Sequence, residues 1–178
     1  MKYIGFELEN AIDIGKIYSV HYFEYSKDFI FHGEKHDFWE FVYVDKGEIT
    51  ATADDREIIL SQGNVIFHQP DQWHNIRANG KIAPNVAIAS FECNSPAMNF
   101  FKDKVMKVGQ EQKILISKII SEYTNAFTTP LGDIFTSELT AKEESIIGSQ
   151  QYEHKGNCLN FLVCSSSYLS KSFTGSSV

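Results

Sequence analysis

Polar and apolar residues trade places in short runs through the first ninety positions. Residues 17–31 are dense in aromatics (Tyr18, Tyr22, Phe23, Tyr25, Phe29, Phe31) and break at Ser26-Lys27-Asp28, which predicts two short strands. Residues 36–47, HDFWEFVYVDKG, predict a central strand that closes on a tight turn at Asp45-Lys46-Gly47. Side chains of a strand alternate between its faces. Glu34, His36, Phe38 and Glu40 therefore fall on one face, and Trp39, Phe41 and Tyr43 on the other. Further strands are predicted over 48–53, 57–60, 65–68, 74–77 and 86–93. Turn residues separate them at Asp54-Asp55-Arg56, at 61–64, at 69–72 and at Asn79-Gly80. Many short strands at close spacing imply an antiparallel sandwich or barrel.

The period then changes. Ser95-Pro96 fits a helix start, with Ser as the cap and Pro at the first helical position. Over 109–127, apolar residues at 115, 116, 119, 120, 123 and 127 describe one face of a helix. Thr129-Pro130-Leu131-Gly132 ends it, and a second helix is predicted over 136–147. The expected layout is a β domain over 1–94, a helical segment over 95–164 and a Ser-rich, disordered tail over 165–178.

Composition narrows the classes. An apolar fraction of 43% with 13% aromatics suffices for one core in a 178-residue chain. A net charge of −7 and the lack of a basic stripe make the chain a poor nucleic-acid binder by itself. No signal peptide and no membrane-length apolar run are apparent. Cys93, Cys158 and Cys164 show no metal spacing and fit a reduced, cytoplasmic setting as small buried hydrophobes.

Chemistry concentrates in Glu34, His36 and Glu40, with His74 following the Pro70 loop. Facing strands of a small barrel point into a common interior. Two His and two carboxylates there suit a divalent transition metal or a polar ligand. The plain alternative is that the histidines are hydrogen-bonded rim residues and the glutamates face water. His32 and His68 are weaker candidates, and His21 and His154 carry no pattern. Phe38 and Trp73 are candidate walls of a ligand pocket, against ordinary core packing. The continuous Ile114-Leu115-Ile116 is wider than one packing stripe needs, which leaves the 109–127 helix as a candidate homodimer contact. There is no nucleophile elbow, phosphate-binding Gly-rich loop or dinucleotide fingerprint.

These residues carry a resemblance that covers about 34–160. HDFWEFVYVDKGE resembles the first cupin motif as it occurs in AraC-type transcription regulators, and GNVIFHQPDQWHN at 63–75 resembles the second. ANGKIAPNVAIASFEC at 78–93 and GSQQ at 148–151 are similar to the sensor domain of those regulators. The resemblance implies a mainly β fold: a cupin-type antiparallel barrel (double-stranded β-helix or jelly roll) followed by α-helices. It implies a small effector, often a sugar, bound in the barrel, and dimerisation through the helices. DNA would be bound only through a C-terminal helix-turn-helix domain. The chain stops at 178, before such a domain, so it is either an excised sensor domain or a short gene product, and the end in a helical region favours excision. Metal cupins carry His-x-His before the Glu, whereas position 34 is Glu, and Pro-x-Gln-x-His stands where they have Pro-x-Gly-x-x-His. His36, Glu40 and His74 still align with ligand positions.

The expected function is thus a non-enzymatic, cytoplasmic effector-sensing and dimerisation module with no cofactor. His36, Phe38, Glu40, Trp73 and His74 would contact the effector. The alternative is a small cupin metalloenzyme, a dioxygenase or isomerase, with a divalent transition metal on His36, Glu40 and His74, joined by Glu34. A pure dimerisation domain with a sealed, apolar interior is a third reading.

Overall fold

The computed structural model describes residues 3–5, 11–135 and 138–143. Eight strands are formed: β1 (Ile14–Glu24), β2 (Trp39–Lys46), β3 (Glu48–Ala53), β4 (Arg56–Ser61), β5 (Asn64–His68), β6 (His74–Ala78), β7 (Asn85–Cys93) and β8 (Val105–Lys107). A 3-10 turn (Pro96–Phe101) follows β7, and helix α1 (Gln110–Ala126) follows β8. The strands make two antiparallel sheets, one ordered β1-β7-β2-β5-β8 and the other β4-β3-β6. The sheets do not close into the expected continuous barrel. Between the strands, residues 29–34 run beside β6 through bridges Ile30–Arg77 and Glu34–His74.

Alternation explains why the larger sheet is covered twice. In β2, Trp39, Phe41 and Tyr43 point to one core with Val65 and Phe67 of β5, Phe101, and Ile116, Ile119 and Tyr123 of α1. Val42 and Val44 point the other way, to a second core with Ile49, Ala51, Leu60 and Ile76 of the smaller sheet. The larger sheet is therefore a middle layer, packed by the smaller sheet on one side and by α1 on the other. A strand buried on both faces reads as a near-continuous apolar run, as 41–44 does.

Three expectations are corrected. The 17–31 aromatics form one long strand and an irregular edge rather than two strands, because the turn at Ser26-Lys27-Asp28 leads into backbone that only bridges β6. The sheet does not end near residue 94: β8 adds to β5 by pairing Val65 with Met106. The second helix expected over 136–147 is not formed over the part described here. Residues 138–143 carry no helix, and Ala141 bridges Phe127 instead. Thr128 donates to the Thr140 carbonyl at 2.8 Å, which pins the returning chain to the end of α1. Residues 136–137 and 144–178, and with them Cys158, Cys164, His154 and the expected tail, lie outside the described residues.

Among the described residues no helix is long and apolar enough to cross a membrane.

Candidate metal and ligand site

The site lies at the end of the inter-sheet space where residues 33–40 cross from the smaller sheet to the larger. The expected shared strand face is not what assembles it: β2 starts only at Trp39, and Glu34 and His36 precede it. Gly33 makes the turn, at a φ of 104° that side chains rarely adopt. Glu34 and His74 then exchange both backbone hydrogen bonds at 2.9 Å. The His36 carbonyl accepts from Asp71 N–H at 2.7 Å, tying this crossing to the loop before β6. Asp54, in the turn between β3 and β4, holds that loop from beneath, accepting from Trp73 N–H at 3.2 Å and from Gln72 Nε2 at 3.3 Å.

One donor atom from each of Glu34, His36, Glu40 and His74 lies within 4.8 Å of the others. His74 Nε2 is 3.5 Å from Glu40 Oε1 and 3.8 Å from Glu34 Oε1, and His36 Nε2 is 3.7 Å from Glu40 Oε2. Both imidazoles are fixed from behind. His36 Nδ1 sits 3.0 Å from the Phe38 carbonyl and His74 Nδ1 sits 2.9 Å from the Gln72 carbonyl. A carbonyl only accepts, so each Nδ1 carries the proton and each Nε2 presents its lone pair forward. Those two Nε2 atoms are buried without a hydrogen-bond partner among the described residues. Backbone-anchored imidazoles with unpartnered lone pairs converging on a carboxylate are what a divalent transition metal requires. The residues present therefore fit such an ion, with Glu40 and His74 as buried residues, His36 offering a buried Nε2 from a partly covered ring, and Glu34 as the half-exposed fourth.

The electrostatics agree. Burial works against the Glu40 charge, yet the pull of the His36 and His74 imidazoles outweighs it and holds the carboxyl well below its usual range. Burial also works against a charged His74, but Glu40 outweighs it and shifts His74 upward. Glu34 is raised by burial and by the neighbouring Glu40 charge.

Of the aromatic candidates, Phe38 lies in a stack, 3.8 Å from the His36 ring and 4.1 Å from the Tyr18 ring. Trp73 is 39% exposed and covers Gly33. His32 is exposed and stands apart, and His21 Nδ1 meets the Leu131 carbonyl at 2.9 Å.

Two contributors were undervalued or missed. Ser90 of β7, opposite Glu40, donates to Glu40 Oε2 at 2.9 Å, and Ser19 of β1 donates to Ser90 Oγ at 3.1 Å. His68 of β5 faces Glu40 from the other side and is fully buried. One polar row, Ser19–Ser90–Glu40–His68, thus crosses four strands. Strand parity, which puts His68 on the face of Ile66, was the available signal for His68. Ser90 lies within an apolar run and gave none.

The close fit at Gly33 is testable. A Cβ there would stand 2.5 Å from Trp73 Cζ2 and 3.0 Å from the His74 carbonyl. Gly33→Ala is expected to cost about 1–3 kcal/mol, from strained backbone and displaced indole. Urea denaturation followed by tryptophan fluorescence measures it, and an unchanged midpoint would refute the fit.

Residues 22–90 match the family model of the cupin domain. The two-sheet arrangement is a cupin jelly roll followed by one described helix. Among solved structures, apo ToxT from Vibrio cholerae is similar at a TM-score of 0.53 and 10% identity, over 91% of this chain and 59% of that one. The cupin domain of Schizosaccharomyces pombe Cnp3 is similar at a TM-score of 0.41 and 12% identity, over 46% of this chain and 59% of that one. A predicted oxalate decarboxylase from Thermotoga maritima is similar at 0.36 and 17% identity, over 40% and 61%. The chain thus spans about three-fifths of these three chains. No curated protein sequence matches it.

Proposed function

We propose that this chain is the effector-sensing and dimerisation module of an AraC-type transcription regulator, and that it senses through the Glu34–His36–Glu40–His74 cluster. The observation that carries a ligand site is the pair of buried, unpartnered Nε2 atoms aimed at Glu40. The regulator reading is supported by the likeness to ToxT, an AraC-type regulator, which extends beyond the jelly roll to most of the chain. At 10% identity that likeness speaks for the fold.

Sensing requires that a ligand favour one arrangement over another. β2 offers a physical link. Its inner face carries Glu40, and its outer face carries Trp39, Phe41 and Tyr43, which pack in the same core as Ile116, Ile119 and Tyr123 of α1. A shift of Glu40 therefore reaches the helix through one strand's thickness. On this reading a second copy pairs through α1, whose outer face leaves Ile114 49% exposed, and DNA is bound by a domain beyond these residues. A divalent metal, when bound, supplies Lewis-acid affinity for a ligand oxygen. His36 and His74 offer neutral lone pairs, Glu40 balances charge, and Ser90 holds Glu40 in place.

A second reading, a cupin metalloenzyme, is favoured by the accessibility of Glu34, whose side chain is 49% exposed beside buried Glu40 and His74 and a mostly covered His36. Metal analysis of protein purified without chelator, paired with native mass and a turnover screen on small oxygenated acids, separates the two. A dimeric mass without turnover is expected. Turnover dependent on the metal would replace the sensor with the enzyme, and a monomer at every concentration would remove the dimerisation role.

A further inference from the structure

His68 ends the polar row. Its side chain is 0% exposed, and neither ring nitrogen makes a well-formed hydrogen bond among the described residues, although the buried Gln72 side chain is close enough to favour its charged form. Leaving buried polar atoms unmet works against folding. A leucine at this position, on the face of Ile66, would avoid that cost.

His68 is not simply a fifth metal donor. Its ring stacks on His74 with centroids 4.3 Å apart and planes 12° apart. The His36 and His74 rings, by contrast, meet at 71°. An imidazole binds a cation in its own plane, along the nitrogen lone pair. Crossed planes share a line of such points, whereas near-parallel planes a ring's thickness apart share none nearby. An ion held by His36 and His74 is therefore out of reach of His68, although His68 is paired across the sheet with Glu40.

We propose that His68 forms an inner ligand subsite that hydrogen-bonds an alcohol hydroxyl of a small hydroxy acid, whose carboxylate end meets the ion held at Glu34, His36, Glu40 and His74. This deepens the metal-assisted sensing reading and rests on it. A neutral imidazole offers one N–H and one lone pair. A hydroxyl answers either, since it both donates and accepts. A carboxylate answers only the N–H, and an apolar group neither. The second nitrogen then takes another hydroxyl or a water. On the same face of β5, Ile66 belongs to the apolar core between the sheets. Glu34 is the exposed member of the cluster.

The test uses the full chain loaded with Co(II) and titrated with glycolate and with acetate, which differ by one hydroxyl, read by the cobalt visible spectrum. Wild type is compared with His68→Leu and with His68→Gln. In His68→Leu the glycolate-to-acetate affinity ratio is expected to fall about tenfold, the worth of one buried hydrogen bond, with Co(II) affinity unchanged. His68→Gln, which keeps a donor and an acceptor, should recover part of the ratio. An unchanged ratio overturns the subsite, as does a large loss of Co(II) affinity in both folded variants, which would make His68 a ligand of the ion. If wild type binds no Co(II), the metal reading fails separately. The ring-nitrogen NMR shifts of His68 in metal-free protein then decide the subsite: movement with glycolate and not acetate supports it, and no movement overturns it.

Discussion

A His36→Ala, His74→Ala double variant is expected to bind Co(II) or Zn(II) about ten-thousandfold more weakly than wild type. A closed four-donor site is worth about 10–16 kcal/mol at neutral pH, so one donor contributes on the order of 3 kcal/mol, roughly a hundredfold. Two imidazoles removed together therefore remove about four decades. They are the donors held best: Nδ1 of each is anchored on a backbone carbonyl, and each Nε2 is buried and unpartnered. Competition titration against a chelator of known affinity gives the number. Glu34→Ala should cost far less, since its carboxylate is half-exposed and burial and the Glu40 charge raise its pKa. An equal loss for Glu34→Ala alone would mean that the ion sits further out than the two imidazoles place it.

The control is stability. Removing both imidazoles leaves Glu40 buried at 7% exposure with only Ser90 as a partner, and an unpaired buried charge costs about 3–5 kcal/mol. A triple variant that also carries Glu40→Gln removes that charge. If the triple variant is folded and binds no ion, the loss belongs to the donors and not to unfolding.

The fold was legible because its cores depend on period-two alternation, which survives in sequence. Residues 48–53, 64–68 and 85–93 became strands near their expected bounds, and 110–126 became the helix. The site was legible for a less secure reason. Glu34, His36, Glu40 and His74 do converge, but through a loop turned at Gly33 and a bridge to β6 rather than along one strand face. Strand parity groups Glu34, His36 and Glu40, which do come together, but by a geometry that is not there. What stayed hidden depends on pairing across strands. Ser90 matters because it lies opposite Glu40, and the partner of a strand residue is set by register, which a single sequence does not print. The closing pair Phe127–Ala141 was hidden likewise, behind residues whose composition suits a helix equally well.

His68→Leu is expected to make the metal-free protein more stable, and to change how stability depends on pH. At neutral pH the substitution removes two unmet buried polar atoms for a side chain of similar size, a gain of about 1–3 kcal/mol. The pH effect has its own sign. Burial, helped by the neighbouring His74, pushes the native His68 pKa down to about 4, from 6.5 in the unfolded chain. Between those values the unfolded chain takes up a proton that native His68 refuses, so stability falls as pH falls from about 6.5 to about 4. A shift of that size corresponds to about 3 kcal/mol across the window. Other groups act elsewhere or oppositely. Glu40, depressed, contributes stability that is lost only as pH falls below 4.5, and His74, raised, contributes stability lost as pH rises above 6.5. Glu34, raised, contributes stability that is complete below 4.5 and lost as pH rises above it, so it offsets part of the His68 effect. The difference between wild-type and His68→Leu unfolding free energies isolates the His68 contribution. Urea titrations in chelator at half-unit steps from pH 7 to pH 4 should show the stability advantage of His68→Leu growing by about 3 kcal/mol as the pH drops. A constant difference would mean that His68 already has a partner in the native protein, and a variant less stable at pH 7 would mean that the imidazole packs too well to be spared.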